Sequence, residues 1–184
     1  EMDVLIAVMP SSLTEPQLPH LVDYVKSGKP TLIFDDPIPA WSLDGMGSPT
    51  MAPLMPKPSP GGGGMFGMQQ PGEPKAFGGR LTPLLNALDI AWDPGEVVFD
   101  AFNPHPKYEV QPEIVFVKPE SGSRGAFNPD SPITKDLREM VMFLPGSLKP
   151  REATKNEFTK LLLTGARNSG TLGWDDITQP GMFG

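Results

Sequence analysis

The sequence predicts an α/β fold with three layers, a largely parallel sheet and a long Pro/Gly-rich insertion. One observation is a set of short, continuous apolar runs, VLIAVM, TLIF and IVFV, of the kind found in strands buried on both faces of a parallel sheet. Another is an amphipathic helical stripe between the first two runs. These features favour a Rossmann- or flavodoxin-like (amidotransferase-like) topology, with one domain over residues 1–184.

The first 36 residues have the pattern of a βαβ unit. Residues 4–9 are predicted to form a strand, Thr14 to cap a helix, Gly28 to follow the end of that helix, and residues 31–34 to form a second strand. The apolar residues of the helix fall on one face: Leu18, Leu21, Val22 and Val25. Crossovers of this kind are nearly always right-handed, so the two strands are expected to lie parallel.

Residues 37–80 differ from the rest in composition. They hold nine Pro, ten Gly and five Met, a density of helix and strand breakers that predicts an insertion and no domain. The apolar side chains in this insertion would suit an arm that contacts a partner or a second copy of the chain, because flexible thioethers adapt to varied apolar surfaces. The arm residues are Met46, Met51, Met55, Met65, Phe66 and Met68. The alternative is a linker that tolerates any composition.

Order is predicted to return at Leu81. Leucines at 84, 85 and 88 predict a short helix, and strands are predicted at residues 96–99, ending at Asp100, and at 114–117. A short helix near residues 134–138, a strand at 140–144 and a last strand at 161–163 complete the prediction.

Composition excludes several classes of function. The net charge of −7 disfavours nucleic acid as a partner, because an acidic surface repels phosphates. The chain has no Cys and only two His, so thiol chemistry and Cys- or His-rich metal sites are excluded. No Gly-x-Ser-x-Gly or phosphate-binding Gly-rich motif is present. We therefore predict no catalytic residues, no metal and no cofactor.

Several segments in order carry a family resemblance. They are DVLIAVMP, LTEPQLPHLVDYVKSGKPTLIFDDP, LTPLLNALDIAWDPGEVVFD, NPDSPITKDL, MVMFLPGSL and KLLLTGARNSGTLGW. This order resembles the GldG-like family, auxiliary components of ABC-type transport systems involved in gliding motility. Asp36-Pro37 and Asp100 match strand ends of that family, whereas Thr164-Gly165 and the long insertion depart from its pattern.

The resemblance implies a domain on the extracytoplasmic or periplasmic side, excerpted from a longer membrane-anchored protein. It would accompany ABC-type permease and ATPase subunits on other chains, and the insertion offers a route to homo-oligomers. The resulting hypothesis is a non-catalytic binding and assembly module.

Oxygen-bearing side chains at the predicted strand ends leave a second hypothesis open. Ligands of parallel α/β sheets bind beyond the carboxyl ends of the strands, where this sequence places Ser11, Ser12, Asp35, Asp36 and Asp100. These residues would make a solute-binding domain with a carboxylate-lined site. Ordinary turn and cap chemistry explains the same residues. A third hypothesis is a degenerate hydrolase relative that has kept the fold and lost the nucleophile.

Overall fold

The computed structural model describes residues 2–39, 51–57, 72–105, 107–121, 125–162 and 168–177. The helices are α1 Leu18–Lys26, α2 Thr82–Leu88 and α3 Trp174–Ile177. The strands are β1 Leu5–Val8, β2 Thr31–Phe34, β3 Ile90–Ala91, β4 Glu96–Asp100, β5 Ile114–Val117, β6 Met140–Phe143, β7 Lys149–Pro150 and β8 Ser169–Gly173.

The chain divides into two compact units. Unit 1 is Glu1–Pro94 with Leu148–Thr154, and unit 2 is Gly95–Ser147 with Lys155–Gly184. The single domain expected from the sequence stays a prediction.

Unit 1 begins with the predicted βαβ unit. β1 and β2 pair in parallel, with Leu5 opposite Thr31 and Val8 opposite Phe34. Leu18, Leu21 and Val22 of α1 belong to the buried core of this unit, as the helical stripe predicts. Burying this stripe supplies most of the stability of a nine-residue helix, which is too short to be stable alone.

The two ends of α1 differ in how well local sequence signals predict them. Gly28 adopts φ +73° just beyond the helix, and its amide donates to the Val25 carbonyl at 3.0 Å, as predicted. The prediction that Thr14 caps the helix is wrong, because the helix begins after Gln17 without a side-chain cap. The Thr14 amide instead donates to the Gln17 side chain at 3.0 Å, and Pro19 lies in the first turn, where its missing amide costs little.

Part of the insertion packs into unit 1. Ala76 is buried in the unit 1 core, and its amide donates to the Leu13 carbonyl at 2.8 Å. Gly79 has φ +82° and lies against the Pro53 carbonyl, so any side chain there would collide with backbone. α2 follows at Thr82, and its Leu84 and Leu85 enter the same core.

Unit 2 contains two antiparallel strand pairs, β4 with β8 and β5 with β6. Its buried apolar cluster is formed by Val115 and Val117 of β5 with Ala126 and Phe127 of the following loop. The predicted strands at residues 96–99, 114–117 and 140–144 are confirmed within one residue.

The mixture of helices and strands is confirmed, but the described residues do not form the predicted three-layer, largely parallel sheet of Rossmann-like topology. Their strands make four two-stranded sheets, of which only β1–β2 is parallel. A parallel pair needs a long crossover, usually helical. The segment between β5 and β6 is rich in Pro, Gly and Ser and, where described, holds only one 3-10 turn, Pro119–Ser121. Antiparallel pairing follows.

Three local predictions fail where turn chemistry or long-range pairing prevails. Residues 134–136 lie in a turn and residues 137–138 have no regular structure, so no helix forms there. Leu162 forms only an isolated bridge with Phe127, and the last described strand is β8, a Gly-containing strand without an apolar run. The expected burial of β1 and β2 on both faces is also wrong, because alternate residues of each strand are exposed.

Candidate functional site

The strand ends of unit 1 bring Ser11 and Asp35 into contact, as expected for neighbouring parallel strands. The Ser11 amide donates to Asp35 Oδ2 at 2.8 Å, and the Ser11 hydroxyl donates to Oδ1 at 2.9 Å. The Asp36 amide gives Oδ1 a third hydrogen bond at 3.1 Å. Asp35 thus ties the loop after β1 to the end of β2.

The other two predicted residues of this cluster have local roles. Asp36 Oδ1 accepts a hydrogen bond of 2.9 Å from the Ile38 amide, which makes a turn that leads into the buried Pro37 and Ile38. Ser12 donates its amide to the Met9 carbonyl at 2.9 Å and closes a 3-10 turn over Pro10–Ser12.

Burial governs the electrostatics of this cluster. It raises the pKa of the Asp35 carboxyl, and the two Ser11 hydrogen bonds, the Asp36 amide and the Lys75 charge oppose that rise. Burial also raises the pKa of Asp36, against the hydrogen bond from Ile38. The pKa of Lys75 is lowered by burial, against the attraction of Asp35.

Lys75 joins this cluster to the insertion. Its Nζ donates to the carbonyls of Ala52 and Pro53, the latter at 3.1 Å. Met9, between β1 and the Ser11 turn, has φ 48° and ψ 53°, a conformation that is uncommon for a residue with a long side chain. Asp35 holds the turn on one side, and the Ala76 amide, which donates to the Leu13 carbonyl at 2.8 Å, ties the end of the turn to the insertion.

Asp100, the fifth predicted residue, lies in unit 2. It ends β4, is 3% exposed, and accepts a hydrogen bond of 2.9 Å from the Phe102 amide. A pocket of about 260 Å³ opens beside it. The pocket is lined by Asp100, Ala101, Phe102, Asn103, Val110, Gln111, Pro112, Ile114 and Phe116.

The lining of this pocket combines aromatic and polar groups, but the side-chain amide of Asn103 already makes two hydrogen bonds within the chain. Asn103 Nδ2 donates to the Tyr108 carbonyl at 2.8 Å, and its Oδ1 accepts from the His105 amide at 2.8 Å. These bonds shape the loop that walls the pocket. A ligand role for Ser11, Ser12, Asp35, Asp36 or Asp100 stays a prediction, and their hydrogen bonds are those of caps and turns.

Sequence reasoning missed three charged features. Lys75 sits within a Pro/Gly-rich stretch that carries no signal of a charge interaction with Asp35. Glu139 Oε2 lies 3.3 Å from Lys118 Nζ, and Glu139 Oε1 lies 3.8 Å from His105 Nε2. These side chains are partly exposed, and ion pairs of this kind add little stability.

The third missed feature is Glu113, which is 1% exposed and has no hydrogen-bond partner for either carboxylate oxygen among the described residues. A buried, unsatisfied carboxylate destabilises a fold. Its position directly before the β5 run gave no sign of this in the sequence.

The predicted partner arm is described only in part. Met51 is half-buried and Met55 is 50% exposed within a turn over residues 51–55. Met46, Met65, Phe66 and Met68 lie outside the described residues.

The residues that the structure describes contain no group of three or more acidic or His side chains placed to hold a metal ion. In the same part of the chain, no helix is long and apolar enough to cross a membrane.

Comparison with known proteins supplies the family. The family model of auxiliary components described as "ABC-type uncharacterized transport system" matches residues 1–182. Comparisons with curated proteins and with solved structures found no match. Because the family model spans nearly the whole chain, this protein belongs to the family of auxiliary components of ABC-type transport systems.

Proposed function

We propose that this chain is a non-catalytic, extracytoplasmic auxiliary domain of an ABC-type transport system of the gliding-motility kind, and that it acts as a binding and assembly module. The family match over residues 1–182 is the observation that carries the proposal. In the complex the chain would accompany separate permease and ATPase subunits, held at the membrane by segments of its own longer protein.

The carboxylates of Asp35, Asp36 and Asp100 already accept hydrogen bonds from the chain itself, which supports an assembly role over solute binding. Asp35 accepts three hydrogen bonds, and Asp36 and Asp100 each accept one from a backbone amide two residues ahead. Carboxylates used in this way order the loops that follow β2 and β4. An ordered loop surface suits docking of another protein.

The insertion adds a second contact surface to this proposal. Met55 is exposed in residues 51–57, a segment to which Lys75 hydrogen-bonds at Ala52 and Pro53, so an apolar side chain is presented at a fixed place. We place the arm residues Met46, Met51, Met55, Met65, Phe66 and Met68 at a contact with a partner or with a second copy of the chain.

Co-purification from native membranes tests the assembly role. The full-length protein that contains this chain, tagged and co-expressed with its permease and ATPase, should elute with both subunits in mild detergent. Deletion of residues 58–71 should weaken that association if the arm takes part. Recovery of the protein without either subunit would refute the assembly role. Digestion by protease added to spheroplasts, whose outer envelope is opened and whose cytoplasmic membrane is intact, would test the location, since a protected chain contradicts it.

The pocket beside Asp100 keeps solute binding as a second candidate function. Its volume of about 260 Å³ and its Phe102 and Phe116 walls suit a small ligand with an apolar face, such as a monosaccharide. Thermal unfolding against sugars, nucleotides and divalent cations tests this. A ligand at 100 times its Kd should add about 2.7 kcal/mol of stability. A shift that Asp100→Asn abolishes would establish binding, and a flat panel would reject it.

A further inference from the structure

Unit 1 exposes one complete face of its parallel strand pair. The side chains on this face come from alternate positions of β1 and β2, and the register sets Ile6 beside Leu32 and Val8 beside Phe34. Val4, just before β1, continues the alternation. These five residues, here called the open face, keep between 46% and 69% of their accessible surface.

The opposite face of the same strands is covered. Leu5, Ala7 and Ile33 pack against the core cluster that contains Leu18 and Leu21 of α1. Parallel strands normally have both faces covered, and their sequences are accordingly apolar at every position. The sequence of β1 and β2 is therefore that of strands with two covered faces, whereas the described residues of unit 1 cover only one of them.

The size of the open face limits what can cover it. Its five residues expose on the order of 500 Å² of mainly apolar surface, close to the largest patches of monomeric proteins, which are often functional. A stable dimer needs roughly 800 Å² from each partner. The open face is too small to hold two copies of the chain together by itself.

The dimensions fit a single helix. Four strand residues span about 13 Å at roughly 3.3 Å each, which equals the length of about nine helical residues at 1.5 Å each. α1 covers the opposite face with nine residues and one apolar stripe.

We propose that the open face binds an amphipathic helix of a partner protein, with apolar residues at i, i+3, i+4 and i+7. This deepens the proposed assembly role, on which it rests, by naming the surface and the kind of partner segment. The helix would lie across β1 and β2 as α1 does on the other side. Its apolar stripe would cover Ile6, Val8, Leu32 and Phe34 and leave its polar side in water.

A designed peptide tests the surface directly. The probe is a net-neutral, fluorescently labelled helix of about 18 residues with a leucine stripe at this spacing, so that attraction to the acidic chain does not contribute. The chain should bind it, and should not bind the same peptide with its stripe leucines replaced by serine. Fluorescence anisotropy gives the Kd for each variant.

Two variants locate the binding. Ile6→Thr/Leu32→Thr keeps β-compatible, well-exposed positions and should weaken peptide binding by about tenfold or more. Val141→Thr removes a comparably exposed apolar side chain from β6 and should leave the Kd unchanged within about twofold. If the double variant does not keep the wild-type circular dichroism, the single variant Leu32→Thr replaces it.

Three results would overturn the proposal. They are no binding of the striped peptide to the wild-type chain, equal binding to Ile6→Thr/Leu32→Thr, or a wild-type dimer that this double variant converts to a monomer. The last would assign the open face to a second copy. Each is distinct from failure of the assembly role, which shows as loss of the permease and ATPase from the full-length protein.

Discussion

The hydrogen bonds of Asp35 predict that Asp35→Ala destabilises the chain. The substitution removes three hydrogen bonds, two of them from Ser11, which is 1% exposed and cannot turn to water for new partners. Each buried donor left unsatisfied costs about 1–3 kcal/mol. Burial also disfavours the charged form of Asp35 and raises its pKa, so removing this carboxylate recovers part of the lost stability.

The net loss should be about 2–4 kcal/mol at neutral pH, or roughly 5–12 °C in Tm for a chain of this size. Asp35→Asn keeps one acceptor oxygen for the Ser11 hydroxyl and the Asp36 amide but turns an NH₂ group toward the Ser11 amide. It should lose about half as much.

Urea unfolding and thermal unfolding of the two variants measure these losses. Asp23→Ala, at an exposed carboxylate of α1, is the matched control and should change stability by less than about 0.5 kcal/mol. An Asp35→Ala variant as stable as the wild type would refute the reasoning that Asp35 holds the Ser11 turn. If the same variant also lost a ligand-induced shift in Tm, Asp35 would be a ligand-binding carboxylate.

Two further predictions follow from carboxylates in unfavourable surroundings. Glu113→Met removes a buried carboxylate that has no partner among the described residues, so the free energy of unfolding measured in urea should rise by about 1–3 kcal/mol. Glu157→Met, the control at an exposed position, should leave stability unchanged. A loss of stability in Glu113→Met would mean that Glu113 has a partner. Burial raises the pKa of Asp36 in the folded state above its ordinary value of 3.8. Ionisation of Asp36 therefore lowers the stability of the chain as the pH rises from 3.8 through the raised pKa. Asp36→Asn keeps the acceptor for the Ile38 amide and should therefore stabilise the chain at neutral pH, with the gain vanishing below pH 3.8, and a gain that grew on acidification would contradict this.

The sequence was most informative where a local pattern and a core agree. The stripe of α1 and the φ +73° of Gly28 follow from helical spacing and from the conformational freedom of glycine. The contact of Ser11 with Asp35 follows from parallel pairing of β1 with β2, because the carboxyl ends of such strands meet.

Predictions failed where distant segments decide the structure. β8 holds two glycines and no apolar run, and it forms because β4 offers it a partner from Glu96 to Asp100. The attraction between the charges of Lys75 and Asp35 depends on how the insertion folds back, which no spacing in the sequence encodes. The exposure of Ile6 and Leu32 was unpredictable for a different reason, since an apolar residue is equally compatible with a face covered by another protein.

The positions of Lys57 and Gly72 have a consequence for how the length of the insertion can change. Gly72 lies directly against the Lys57 carbonyl, so the two described residues that flank the 14 positions from 58 to 71 are neighbours in space. The entropy of closing a loop grows only with the logarithm of its length, about 0.6 kcal/mol for each doubling. Unit 1 can therefore accept a much shorter or longer segment between these two positions at small cost in stability, which makes this the natural place to insert a tag, a spectroscopic probe or a binding sequence.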